Sequence, residues 1–324
     1  MGKSNWLEVS FHIENLLFFD FLFGLSLLLL MMVYQLPDKL LMAAAFLFVI
    51  GVINCIRLAY IKLVTLPRAV RMRFEFTDEE IAWDGSITLA EELHLLAPGH
   101  ERVGIFPSWK CEVGVPASLL ADLVLAEVVD IAPMLRKNGT LRPTSPPDYE
   151  IKRNPVLYTS NSMHDVDPIA FRVLDRFFSD SMKMKKSIRN WIEICKDGRI
   201  SLNDGLLRRL VQRGELQEIK PMRECIFTVP SFQLTPKGKI SSKIGIVQEF
   251  LRNGTKPTTT PRDHFLLYLA CFGGVGIAWK PRKERTISLE RAASVKADLP
   301  TRIKIIAEAI YALRVEDQIT ILGA

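Results

Sequence analysis

Residues 202–220, "LNDGLLRRLVQRGELQEIK", decide the fold class. They read as a helix ended by Gly214, since glycine takes the left-handed turn that closes a helix without a Cβ penalty. A strand follows at once. Pro221-Met222-Arg223 makes a turn and "CIFTV" (225–229) returns as a second strand. The result is a β-hairpin over about residues 215–230 set among helices.

Helical patterning extends outward on both sides of this hairpin. "SITLAEELHLLAPG" (86–99) opens a helix in which Thr88 and Glu91 form a capping box, each side chain satisfying a free backbone donor of the other residue. Leu89, Leu93 and Leu96 fall on one face, and His94 is a partly exposed packing residue. "GVPASLLADLVLAEVV" gives a helix with Pro116 near its start and Leu119, Leu120, Leu123 and Val124 inward. Residues 132–163 are polar and hold prolines, reading as a loop or irregular strands. Asp167-Pro168 caps a helix through Phe178, and "KKSIRNWIEICKDG" carries another that buries Ile188, Trp191, Ile192 and Cys195 and stops at Gly198. Downstream, Ile240, Ile244, Val247 and Leu251 mark one helix. "TPRDHFLLYLACFGG" is a buried one capped at Thr260, and "TRIKIIAEAIYALR" turns Ile303, Ile306, Ile310 and Leu313 inward.

The N-terminal region has a different character. Phe21–Leu36 and Leu40–Ile56 hold no charged residue, and Gln35-Leu36-Pro37-Asp38-Lys39 separates them as a turn. A helix needs about 17–25 apolar residues to span a bilayer. Leu16–Phe19 extends the first run, placing Asp20 near the headgroups, and Arg57 ends the second. Residues 1–64 are therefore expected to form a transmembrane hairpin, with helices at about 15–36 and 40–58. Arg57, Lys62, Arg68, Arg71 and Arg73 trail the second helix, while the turn holds only Lys39; the positive-inside rule places the C-terminal portion in the cytoplasm. The fold class is thus mostly α: a globular helical domain (86–324) with one protruding β-hairpin, joined by a linker (65–85) to a two-helix transmembrane hairpin.

Catalytic constellations are missing from the sequence. The 324 residues carry a formal net charge of +6, too mild to argue for nucleic acid. Cys55, Cys111, Cys195, Cys225 and Cys271 show no CxxC and read as buried free thiols. His164-Asp165-Val166-Asp167 sets a His beside two carboxylates, but no further ligands lie at metal-binding spacing, and the stretch serves as a cap for the helix that follows. Gly273-Gly274-Val275-Gly276 follows a helix and lacks Gly-Lys-Ser/Thr, so it is no phosphate loop. No cofactor, metal or catalytic residue is expected. Binding chemistry is better represented. Arg189, Arg199, Arg208, Arg209 and Arg213 lie on or between adjacent helices, suited to a phosphate through planar multi-donor contacts, or else forming a solvated basic face. Trp109, in "GIFPSWK", fits a membrane interface or a core.

Taken in order, "ITLAEELHLLA", "SLLADLVLAE", "NWIEICKDG", "LLRRLVQRGELQEI" with "IFTV", and "PRDHFLLYLACFGGV" resemble the Golgi phosphoprotein 3 family over about residues 86–280. The resemblance implies a non-enzymatic adaptor that binds phosphatidylinositol 4-phosphate and captures membrane-protein cytoplasmic tails in Golgi vesicle-mediated transport. It also implies self-association and membrane contact through the hairpin at 215–230. Among the family's lipid-binding positions Trp109 matches, but Pro116 stands where an arginine is usual. Ile200 and Asn203 stand at two further arginine positions, with Arg199 one residue away. The lipid-binding set implied here is Trp109, Arg199, Arg208 and Arg189, for a phosphoinositide or other anionic headgroup. The expected location is the Golgi membrane in a eukaryote or the inner membrane in a bacterium. A competing reading takes the helix and hairpin at 202–229 as a winged helix of a membrane-tethered regulator that touches nucleic acid. A membrane enzyme ranks last.

Overall fold

A computed structural model describes residues 74–96, 110–134, 149–155, 166–180, 186–224, 227–254, 260–273 and 282–322. The apolar runs expected to cross a membrane lie outside the described residues, as does Trp109. Among the described residues no helix is long and apolar enough to cross a membrane. The chain divides into two compact units, residues 1–71 with 221–229 and residues 72–220 with 230–324. The core and the ion pairs discussed below belong to the second unit.

Helix accounts for 70% of the described residues, which makes the chain mostly α as expected. The elements in order are α1 (Asp78–Ile81), α2 (Leu89–Leu96), a π-helical turn (Lys110–Gly114) running into α3 (Val115–Leu125), β1 (Val129–Pro133), β2 (Tyr149–Arg153), α4 (Pro168–Asp180), α5 (Ile188–Asp197), α6 (Arg199–Gln212), β3 (Leu216–Glu224), β4 (Phe227–Leu234), α7 (Pro236–Ser241), α8 (Ile244–Asn253), α9 (Pro261–Gly273), α10 (Arg282–Ala297) and α11 (Thr301–Leu322).

Local chemistry fixes several of these boundaries. Thr88 N–H donates to Glu91 Oε2 at 2.8 Å and Glu91 N–H to Thr88 Oγ1 at 3.2 Å, the reciprocal cap expected for α2. Asp167 Oδ1 accepts from Ile169 N–H at 2.9 Å and starts α4. Gly214 takes φ +70° immediately before β3, the left-handed turn the sequence calls for.

The core centres on α3, which packs against α2, α4, α5, α9, α11 and β1. Leu119, Leu120, Leu123 and Val124 are buried there, and Phe265 through Phe272 form a continuous buried run on α9. A helix that buries most of its circumference is a central one. Leu95, Leu207, Leu210 and Leu216 make a smaller cluster that ties α2 and α6 to the start of β3. Cys195 and Cys271 are buried and in no disulfide, and burial pushes the Cys271 thiol up to about 12.

The structure departs from the sequence reading in five places. Residues 74–85, assigned to the end of the linker, are packed. Phe74 and Ile81 are buried, and Phe74 N–H donates to Ser201 Oγ at 2.9 Å. Gly205 lets this segment approach α6, since a Cβ there would come within 2.7 Å of the Phe76 ring. Second, β1 and β2 pair antiparallel from Val129↔Arg153 to Pro133↔Tyr149, where a loop or irregular strands were expected. Five-residue strands are too short for alternation to stand out in sequence. Third, Pro221-Met222-Arg223 lies within β3 and is not the turn; in a two-stranded ribbon both strands are edges, where proline costs least. Fourth, the helix marked by Ile240 to Leu251 is two helices, α7 and α8. Ser242 is extended between them, which leaves Ile240 86% exposed. Fifth, His94 is buried, not partly exposed.

Trp191 is fully buried between Phe177, at 5.5 Å edge to face, and the start of α3, where its Nε1–H donates to Pro116 O at 2.8 Å. Trp191→Phe keeps most of the apolar contact and removes the donor. The expected loss is about 2 kcal/mol in urea unfolding.

Candidate functional site

The sequence places five arginines on or between α5 and α6, and the structure sends them in different directions. Arg209 is fully buried. Its Nη1 lies 2.7 Å from Asp167 Oδ1 and 3.7 Å from Glu91 Oε1, and its Nη2 donates to Glu80 O at 2.7 Å. Arg213, one helical turn on, lies 3.4 Å from Glu91 Oε2 and donates to Trp83 O at 2.8 Å. Both guanidinium groups stack on the Trp83 ring, 5.1 and 5.5 Å from its centroid. These two arginines are structural cross-links and not free cations for a phosphate. Burial pushes the Glu91 carboxyl above its usual range, against the pull of Arg209 and Arg213.

The other three were expected to bind a headgroup together with Trp109. Arg199 is buried, and its Nη1 donates to Lys196 O at 3.0 Å, satisfying a carbonyl at the end of α5. Arg208 is half exposed and faces Asp78 at 3.4 Å. Arg189 is exposed on α5. Arg199 and Arg208 are nine residues apart, which at about 100° per residue puts them on opposite faces of α6. They are not brought together. Asn203, at one of the family's arginine positions, is buried.

Sequence reading missed a second, partly buried charge cluster around the buried Glu92. Glu92 lies 2.9 Å from Lys243 Nζ and 3.3 Å from Arg262 Nη1, and Lys243 also pairs with Asp263. Arg262 Nε is 3.5 Å from Asp122 Oδ1, and Asp122 Oδ2 accepts from Leu89 N–H at 2.8 Å. The signal was present: Glu91, Glu92 and Asp122 sit at core-facing spacing inside leucine-rich stripes, where a carboxylate requires a partner. Burial pushes the Asp122 carboxyl up from 3.8 to about 7, with Arg262 and the Leu89 N–H pulling it down.

No group of acidic, histidine or cysteine side chains suited to a metal ion occurs among the described residues. What the geometry defines is a mostly helical domain with a β-hairpin, cross-linked by internal ion pairs. A family model described as Golgi phosphoprotein 3 (GPP34) matches residues 89–313, and the chain belongs to that family. The family is of a non-enzymatic adaptor type. Comparison with individual curated proteins finds no match.

Two predictions follow from the ion pairs. Arg209→Leu leaves Asp167 buried without its cation and Glu91 with Arg213 alone, and is expected to cost about 3–5 kcal/mol. Arg208→Ala, one position away, is expected to change stability by less than about 0.5 kcal/mol, both read by chemical unfolding. The Asp122 carboxyl keeps its proton to higher pH in the folded state than in the unfolded state. Its contribution to stability is therefore fully present below 3.8 and lost as pH rises through about 7. Asp122→Asn keeps an acceptor for Leu89 N–H. Its stability relative to wild type is expected to rise by roughly 1–3 kcal/mol between about pH 5 and about pH 8.

Proposed function

We propose that this chain is a membrane-anchored, non-enzymatic adaptor of the Golgi phosphoprotein 3 type. The family match over residues 89–313 carries this reading. Two uncharged runs within residues 1–64, followed by five arginines and lysines between 57 and 73, support an anchor with the helical domain on the cytoplasmic side. The domain then captures cytoplasmic tails of membrane proteins and self-associates through the hairpin at 215–230. The membrane is the Golgi in a eukaryote and the inner membrane in a bacterium.

Anionic headgroups contact the domain through Trp109 together with exposed cations, Arg189 and Arg208 foremost. Arg199 is a weaker participant, because its guanidinium is already engaged with Lys196 O. Pro116 stands in place of the arginine usual at the start of α3, so headgroup affinity is low and the hairpin anchor supplies most of the attachment.

After alkaline carbonate washing, the full chain is expected to stay in the membrane pellet. A pull-down from detergent extract is expected to recover membrane proteins through their tails with the full chain and not with a version lacking residues 215–230. Release into the supernatant contradicts the anchor, and equal capture by the shortened version contradicts the hairpin's role.

A further inference from the structure

Helix α7 is held to the chain entering β3 by one face. Gly238 is its one buried residue, and a Cβ there would overlap Glu215 O, so the helix backbone lies directly on that chain. Thr235 caps the helix: Gly238 N–H donates to Thr235 Oγ1 at 3.0 Å, and Thr235 N–H donates to Glu215 O at 3.1 Å. Lys237 Nζ donates to Arg213 O at 2.6 Å and lies 3.4 Å from the buried Glu215 carboxylate. These contacts set which way α7 faces.

With Gly238 inward, the helical turn decides what faces out. At about 100° per residue, Pro236 and Ile240 each lie about 160° from Gly238, side by side on the opposite face, with Lys237 and Lys239 flanking them. Burial follows the same order: residues 236, 237, 239 and 240 are exposed and 238 is buried. Ile240 is the most exposed large apolar side chain among the described residues. One isoleucine in water needs no explanation by itself. Its surroundings set it apart. Between Glu224 and Glu249 the sequence holds Lys237, Lys239 and Lys243 and no carboxylate. Lys243 is turned to Glu92 and Asp263, and Lys237 to Glu215. Lys239 makes no ion pair among the described residues, so its charge stands beside Ile240 without a counter-charge.

We propose that the outer face of α7 rests on an anionic lipid surface, with Ile240 and Pro236 between the headgroups and the Lys239 ammonium beside their negative groups. An apolar tip next to a long basic side chain suits that boundary: the isoleucine leaves water while the lysine reaches back to the charged layer. The unopposed lysine favours anionic over neutral lipid by about fivefold. A second copy of the chain fits less well, because one helical turn with a single apolar tip is far smaller than a stable interface. The contact is too small to attach the domain; it orients it, turning the base of the hairpin toward the bilayer. It uses none of Trp109, Arg189, Arg199 and Arg208 and goes beyond the adaptor reading.

The test acylates the full chain with a water-soluble amine reagent and reads Lys239 by peptide mass spectrometry. The chain is presented to nanodiscs of phosphatidylcholine alone or of phosphatidylcholine with phosphatidylserine. Lys239 is expected to react about fivefold more slowly with the anionic discs, and added salt is expected to reverse the protection. Ile240→Asp, a change at an exposed position that leaves the thermal midpoint unaltered, is expected to abolish the protection. Equal reactivity of Lys239 with both discs, or equal protection in the Ile240→Asp chain, overturns the contact. Protection that appears in detergent micelles and grows with chain concentration assigns the face to a second copy and also overturns it. The labelling is read whether the chain enters the disc or only meets it, so a failed anchor, reported by the carbonate wash, does not decide this result.

Discussion

The buried guanidinium of Arg209 is the constraint on which the domain's geometry depends. It joins four pieces of chain that are far apart in sequence: the 78–83 segment through Glu80 O, α2 through Glu91, the start of α4 through Asp167, and its own helix α6. A buried charge left without partners costs several kcal/mol, so these segments hold one arrangement or the domain loses it. Arg213 extends the same lock toward the hairpin. Its carbonyl accepts from Lys237 Nζ at 2.6 Å, and Lys237 also lies 3.4 Å from Glu215 at the base of β3. Thr235 Oγ1 closes the base from the β4 side, 2.6 Å from Gly214 O. The base of the hairpin is thus tied to the end of α6 and the start of α7.

That arrangement changes how the arginines relate to function. A run of basic residues on neighbouring helices invites a phosphate-binding reading, but burial decides which of them are available. Arg209 and Arg213 neutralise internal carboxylates, and Arg199 completes the end of α5. Only Arg189 and Arg208 of the five present their charge outward. The Pro116 carbonyl meanwhile serves the core by accepting from Trp191. The proposed role therefore assigns headgroup contact a minor part and attachment to the two uncharged runs within residues 1–64.

Much of the helical order was legible in the sequence because caps and stripes act locally. The Thr88/Glu91 box, the Asp167 cap, the Gly214 stop and the inward faces of α3, α5, α9 and α11 follow from residues within a few positions of one another. The misses share a different cause. The pairing of β1 with β2 joins residues about twenty positions apart across short strands. The packing of residues 74–85 depends on Gly205 and Ser201, more than a hundred positions away. Ile240 fell on a helical spacing that a break at Ser242 interrupts. The partners of Arg209 were hidden for the same reason: an arginine's spacing on its own helix says nothing of which carboxylate faces it from another.

The most direct test of this arrangement is a double-mutant cycle on stability with Arg209→Met, Asp167→Leu and the pair together. A buried cross-link predicts that each single change is strongly destabilising, while the double change costs far less than their sum, a coupling of about 2 kcal/mol or more. Additive effects within about 0.5 kcal/mol would contradict it. Arg209 would then not be the internal tie that holds α2, α4 and α6 in place.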